Sequence, residues 1–151
     1  MTRAIDQLMS VMEESFDPHF QEAWTRAQVE GSLALPTAFM ALIDEHGEPC
    51  DGDTTAAGFI LARRAADEVE LLLIAVRPRF RGRGLSNILL DTLSDIARRH
   101  KARQVFLEVR ADNPARHVYR KAGFEQIGQR KDYYRTRTGT TIDAITYGKQ
   151  L

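Results

Sequence analysis

The chain predicts an α/β domain: a mixed, mostly antiparallel sheet flanked by helices, with one parallel pair at its centre. Three observations carry this prediction. Val69 to Val76 is an apolar run of the length of a buried strand. After it, Leu85, Ile88, Leu89, Leu93, Ile96 and Ala97 recur at the spacing of one helix face. A second apolar stretch, Gln104 to Val109, follows that helix. Strand, helix and strand in that order make a crossover that leaves the two strands parallel. Shorter apolar runs on either side, separated by turn residues, add antiparallel hairpins.

Ile5, Leu8, Met9, Met12 and Phe16 give an amphipathic first helix, which Asp17-Pro18 should end. A second helix is expected from about Gln21 to Glu30, carrying Trp24, the only tryptophan. Gly31 and Pro36 bound a linker, and Ala38 to Asp44 reads as a strand. Glu45 to Thr55, rich in Gly, Pro, Asp and Glu, reads as a hairpin loop. It holds His46, Cys50, Asp51 and Asp53, in a spacing that matches no zinc pattern; a polar surface loop is the better reading, and no metal is expected. Gly58 to Arg63 is a second strand, and the organising strand at Val69 to Val76 ends near Arg77, because Pro78 has no N–H for a ladder.

The long helix ends near His100-Lys101 and leads into Gln104 to Val109, which contains one carboxylate, Glu108. Asp112-Asn113-Pro114 is a helix start, with a capping side chain and Pro at the first helical position. That short helix carries His117, read as a surface residue, and Tyr119, with Gly123 at its C-terminal cap. Phe124 to Gly128 and Ile142 to Tyr147 are the last strands, with Tyr133-Tyr134 between them.

The 151 residues fit a single domain, 1–151, and formal charge is zero with 21 basic and 21 acidic residues. That balance points to neither a membrane nor a specific nucleic acid. Arginines cluster at 77 to 83 and 98 to 103 and read as interspersed, solvated residues. One cysteine permits no intrachain disulfide, no stretch is long enough to span a membrane, and the N-terminus lacks a signal peptide's apolar core, so a cytoplasmic location is expected.

Between the organising strand and the long helix lies Arg81-Gly82-Arg83-Gly84. A helix N-terminus offers unpaired N–H groups and partial positive charge, and glycine lets backbone approach a ligand closely. An anion, a phosphate above all, suits such a place. The bare alternative is a chain reversal with its arginines in water. The turn is not a P-loop, which needs a Lys-Ser/Thr pair, nor a dinucleotide fingerprint, which needs a third glycine. Both this turn and the end of the Glu108 strand fall at the carboxyl edge of the parallel pair, where ligands favour open α/β sheets. By their residues alone, Glu108 reads equally as a solvent-facing strand residue, Tyr119 as a packed helix aromatic, and Asn113 as a helix cap.

Taken together, these segments resemble the GNAT N-acetyltransferases. The resemblance rests on the strand followed by Arg81-Gly82-Arg83-Gly84-Leu85-Ser86. It rests also on Leu107 to Asn113 (LEVRADN), Val118 to Phe124 (VYRKAGF), Arg130 to Tyr134 (RKDYY) and Asp143 to Ile145 (DAI). It covers roughly residues 10 to 148, and is nearest to the branch that acetylates protein N-terminal α-amines, ribosomal proteins among them. It implies the GNAT acyltransferase fold, with the parallel pair splayed at the acetyl-CoA site, and acetyl-CoA as cosubstrate without metal. The pyrophosphate would lie on the N–H groups of Arg81, Gly82, Arg83, Gly84, Leu85 and Ser86. The pantetheine arm would lie along Leu73, Ile74, Ala75 and Val76, touching Asn113. Glu108 matches the general base and Tyr119 the general acid, with Glu70 a second candidate base. Trp24 and Tyr133-Tyr134 match regions that line an acceptor-peptide channel, core packing being the other account of each. Cys50, in a loop with no paired base, is discounted as a nucleophile.

Three departures stand out. The family's first strand is not visible, so either the sheet is one strand short or the start lies upstream. Ser86 stands where Gly or Ala is usual. The Asn113 to Tyr119 stretch is one residue shorter, which leaves the asparagine role to Asp112 or Asn113 and leaves open the direction of Tyr119. Acetylation of a small amine or a lysine side chain, and a non-catalytic acyl-CoA-binding module, are the alternatives.

Overall fold

A computed structural model describes residues 2–151. The chain runs α1 (Thr2–Ser15), α2 (Arg26–Leu33), β1 (Ala38–Ile43), β2 (Pro49–Cys50), β3 (Gly58–Ala65), β4 (Glu68–Val76), α3 (Leu85–Arg99), β5 (Gln104–Arg110), α4 (Arg116–Lys121), β6 (Glu125–Arg135) and β7 (Thr141–Gln150). The sheet order is β2-β1-β3-β4-β5-β7-β6, and among the described residues only β4 and β5 pair in parallel. The α/β class, the crossover and the antiparallel flanks are those expected.

One apolar cluster, with Leu89, Leu90, Leu93, Val105, Leu107 and Tyr147, lies under α3 and α4. A second, with Leu8, Val11, Met12, Val29, Phe59 and Leu61, lies under α1 and α2. β4 serves both, and it changes phase to do so. Strict alternation would keep Val69, Leu71, Leu73 and Ala75 on one face. Instead Val69 and Leu71 join the α3 cluster, whereas Leu73 and Ala75 join the α1 cluster. The shift is a bulge: Leu73 pairs with Leu61 and Leu71 with Ala62, so Leu72 has no partner on β3.

The same place is where the sheet opens. β4 and β5 pair from Glu68↔Gln104 to Leu71↔Leu107 and no further. Yet β4 stays bonded to β3 up to Val76, and β5 to β7 up to Arg110. Each strand is held from its outer side while the inner edges part.

Four expectations are corrected. The second helix begins at Arg26, not Gln21. Pro18–Phe20 is a 3₁₀ turn that Gln21 ends in a left-handed conformation (φ 54°), and Glu22 to Trp24 cross as irregular chain. Thr25 and Gln28 then close a capping box, each side chain bonding the other's backbone N–H. The loop at 45–55 contains β2, a two-residue strand on the outer edge of β1. The last hairpin is longer than expected, because β6 runs on through Tyr133-Tyr134. Finally, Arg77 is not solvated. It is 3% exposed, and its guanidinium bonds the Ala56 carbonyl (2.7 Å), Ser10 Oγ (3.0 Å) and the Glu14 carboxylate (3.0 Å), tying α1 to the sheet.

Candidate active site

The parting of β4 and β5 opens two adjoining cavities, of about 600 and 410 Å³. Phe16, Glu22, Ile74, Asn113 and Tyr119 line both. The smaller faces the glycine turn and is bordered by Ala75, Val76, Arg81 and Ser86. The larger lies on the α1–α2 face, between Trp24, Glu70, Leu72, Glu108, Tyr133 and Tyr134.

At the turn, Gly82 (φ 79°) and Gly84 (φ 76°) hold left-handed conformations that a side chain would strain. A Cβ at either would point into open space, so a ligand can reach the backbone there. The first intrahelical bond of α3 is donated by Ile88 to the Gly84 carbonyl (3.3 Å), which leaves the N–H groups of Leu85, Ser86 and Asn87 ahead of the ladder. The Leu85 side chain is buried in the core. Arg81 braces the turn: its Nε donates to the Val76 carbonyl and its Nη2 to that of Ser15, both at 3.1 Å. Arg79 and Arg83 stack on the Phe80 ring at 4.9 and 5.3 Å.

In the larger cavity each carboxylate has an arginine. Glu108 pairs with Arg130 (3.0 Å) and Glu70 with Arg63 (2.7 Å). Both carboxylates are under one-fifth exposed and alternate away from the α3 face. Glu22, which the sequence reading passed over, pairs with the buried Arg110 (2.9 Å). Arg110 also reaches Asp112 (3.0 Å) and lies 3.5 Å over the Phe20 ring. Burial pushes the Glu22 carboxyl above its usual range, and Arg110 opposes that only in part.

Tyr119 belongs to the α3-side core, with Phe124 and Tyr147 rings 6.1 and 6.3 Å away, yet it lines both cavities at the gap. Burial pushes its phenol far up, with the Glu22 and Tyr134 charges adding to the effect. The Tyr134 phenol is raised the same way, by burial and then by Glu22 and Glu108. Both hydroxyls therefore keep their protons at neutral pH.

Asp112 and Asn113 differ in where their side chains lie. Asp112 is spent on Arg110, whereas Asn113 lines both cavities. The Asn113 side-chain oxygen accepts from the Ala115 N–H (2.9 Å), and Pro114 enters a tighter turn before α geometry begins at Arg116. Of the other residues singled out, His117 is exposed on α4. Cys50 is away from both cavities, and burial beside Asp44 and Asp51 keeps its thiol protonated.

The sequence matches the acetyltransferase (GNAT) family over residues 5–124. The chain belongs to this family. A relative named ribosomal protein bS18-alanine N-acetyltransferase, from Haemophilus influenzae, is 34% identical over 88 residues, covering 58% of this chain and 60% of the relative. The N-alpha-acetyltransferase RimI of Mycobacterium tuberculosis is 43% identical over 76 residues, covering 50% and 46%. The chain thus spans about half to three-fifths of the length of these relatives. The crystal structure of the ribosomal-protein-S18-alanine N-acetyltransferase from Escherichia coli superposes with a TM-score of 0.83 at 23% identity, over 100% of this chain and 90% of that one, a likeness of fold.

Proposed function

We propose that this protein transfers acetyl from acetyl-CoA to the N-terminal α-amine of a protein, with a ribosomal protein as the acceptor class. One observation carries the reading. The inner edge of β4 is released after Leu71, between a glycine turn suited to phosphate and a cavity holding Glu108 and Tyr119. The names of the bacterial relatives support the acceptor class.

Acetyl-CoA supplies the acyl group as a thioester. The N–H groups of Gly82 to Ser86, at the turn and the α3 N-terminus, receive its pyrophosphate; the Arg81 N–H, expected to join them, is spent on the Pro78 carbonyl (3.2 Å). The free edge of Leu73 to Val76 and the Asn113 side chain hold the arm, and a β4 N–H polarises the carbonyl. Trp24, Tyr133 and Tyr134 wall the acceptor side. An α-amine arrives as its ammonium, and Glu108 takes the first proton, directly or through a water, so that the nitrogen lone pair can attack. Tyr119 faces the departing sulfur. Its phenol is raised far above an ordinary thiol, near 8.5. Complete transfer of its proton to a thiolate is therefore uphill, and its hydroxyl acts chiefly by hydrogen-bonding the sulfur as negative charge develops. The nitrogen gives up its second proton as the amide forms and that proton ends on the sulfur, so the balance is one acetyl gained by nitrogen, one thiol formed and the proton taken by Glu108 released.

Initial rates on a peptide with a free N-terminal Ala test these roles. Glu108→Gln should lower kcat by about a hundredfold or more. Tyr119→Phe, which keeps the ring, should lower kcat by about tenfold or more with acetyl-CoA binding retained. Wild-type rates in both variants would remove both assignments.

A further inference from the structure

β6 and β7 are out of step near their tip. Arg130 pairs with Ala144 and Tyr134 with Ile142, so three residues on β6 (Lys131, Asp132 and Tyr133) face the single residue Asp143 on β7. Such an excess normally closes with glycine. Here Asp132 takes the left-handed conformation itself (φ 52°). The Asp143 carboxylate fills the space: Oδ1 accepts the Asp132 N–H at 2.8 Å, and Oδ2 accepts Gln129 Nε2 at 2.7 Å. The Asp132 side chain is in turn held by the Thr141 hydroxyl, which donates to it at 2.9 Å. Arg130 and Tyr134, which bound this bulge, and Tyr133 within it line the larger cavity. Arg130 pairs with Glu108 and lies 5.1 Å over the Tyr133 ring, and Tyr133 and Tyr134 pack edge-on at 5.2 Å.

We propose that Asp143 is a positioning residue for the acceptor. By closing the β6 bulge from the neighbouring strand, it sets where Arg130, Tyr133 and Tyr134 stand, and hence the acceptor wall of the larger cavity. The proposal rests on the peptide-acetylation reading for the meaning of that wall, although the clamp itself is a statement about β6. Asp143 lies outside both cavities, so its effect is transmitted through the bulge. The donor side, at the glycine turn and β4, does not depend on it.

The test compares wild type, Asp143→Ala and Asp143→Asn, titrating a free-Ala peptide and acetyl-CoA separately by kinetics and calorimetry. Asp143→Ala should weaken kcat/KM for the peptide by about tenfold or more, the scale of one lost charge-assisted hydrogen bond. Its acetyl-CoA affinity should stay within about twofold. Asp143→Asn keeps an oxygen for the Asp132 N–H and should recover most of the loss. Equal loss for peptide and acetyl-CoA, or an Asn variant as defective as Ala, would overturn the positioning role. Hydrogen exchange separates this from failure of the functional reading. If wild type takes no peptide, that reading fails, but the Asp132 amide should still lose protection in Asp143→Ala. Unchanged protection there overturns the clamp.

Discussion

Glu22 is the residue whose chemistry depends most on its surroundings. It stands in irregular chain before the Thr25 capping box, touches both cavities, and is partly buried against Arg110. Its carboxyl is raised because the desolvation of its charge outweighs the attraction of Arg110. A group whose folded pKa lies above its unfolded value contributes stability in full below the unfolded value. That contribution is lost as pH rises through the folded one. Glu22→Gln cannot ionise, yet still offers an oxygen to Arg110. The melting temperature of Glu22→Gln relative to wild type should therefore rise between about pH 4 and pH 7. Thermal melts across that range check it, and a constant difference would contradict the raised carboxyl. The sequence could not disclose this residue, because its role comes from a contact 88 positions away. Glu108 and Tyr119 were singled out because they sit inside recognisable local stretches, and both line the larger cavity.

Among elements, the strap from Pro18 to Trp24 roofs the opening between α1 and α2. Its anchors are on other elements: Arg110 on β5 pairs with Glu22 and stacks on Phe20, and Gln21 Nε2 donates to the Arg135 carbonyl (3.2 Å). Arg110→Ala would leave the Glu22 carboxylate buried without its partner and remove the stacking. We expect a loss of about 3 kcal/mol in unfolding free energy, measured by urea denaturation, with the fold retained. A loss below about 0.5 kcal/mol, the size of an ordinary surface change, would mean the strap is held elsewhere. The strap also shows why element boundaries were the weak part of the sequence reading. The expected helix ran from about Gln21 through Trp24, whereas the T-x-x-Q capping box at Thr25 to Gln28 marks the true start and was there to be read. The β6 bulge gave no such signal, since Lys131, Asp132 and Tyr133 carry no glycine and Asp143 closes the gap from another strand. In contrast, β3, β4, α3 and β5 were legible nearly to the residue, because continuous apolar runs and a clear helical stripe specify them locally.

For the whole molecule, the consequential feature is that one sheet is held tightly on its outer sides and left open at its centre. β3 and β7 continue to bond β4 and β5 beyond the point where those two part, so the gap is a property of the fold rather than of one loop. The crossover predicted that the site would lie at this edge. The bulge at Leu72, which turns Leu73 and Ala75 toward the α1 face, was not visible in the run of six apolar residues from Leu71 to Val76, which reads alike in either phase. On the proposed function, this opening brings an acetyl thioester to a protein's α-amine. The most direct measurement offers acetyl-CoA and a peptide carrying both a free N-terminal Ala and a lysine, and locates the added acetyl group by fragmentation mass spectrometry. Acetyl on the α-nitrogen alone, dependent on Glu108, is the predicted result. Acetyl on the lysine side chain alone, or no transfer while acetyl-CoA binds, would contradict it.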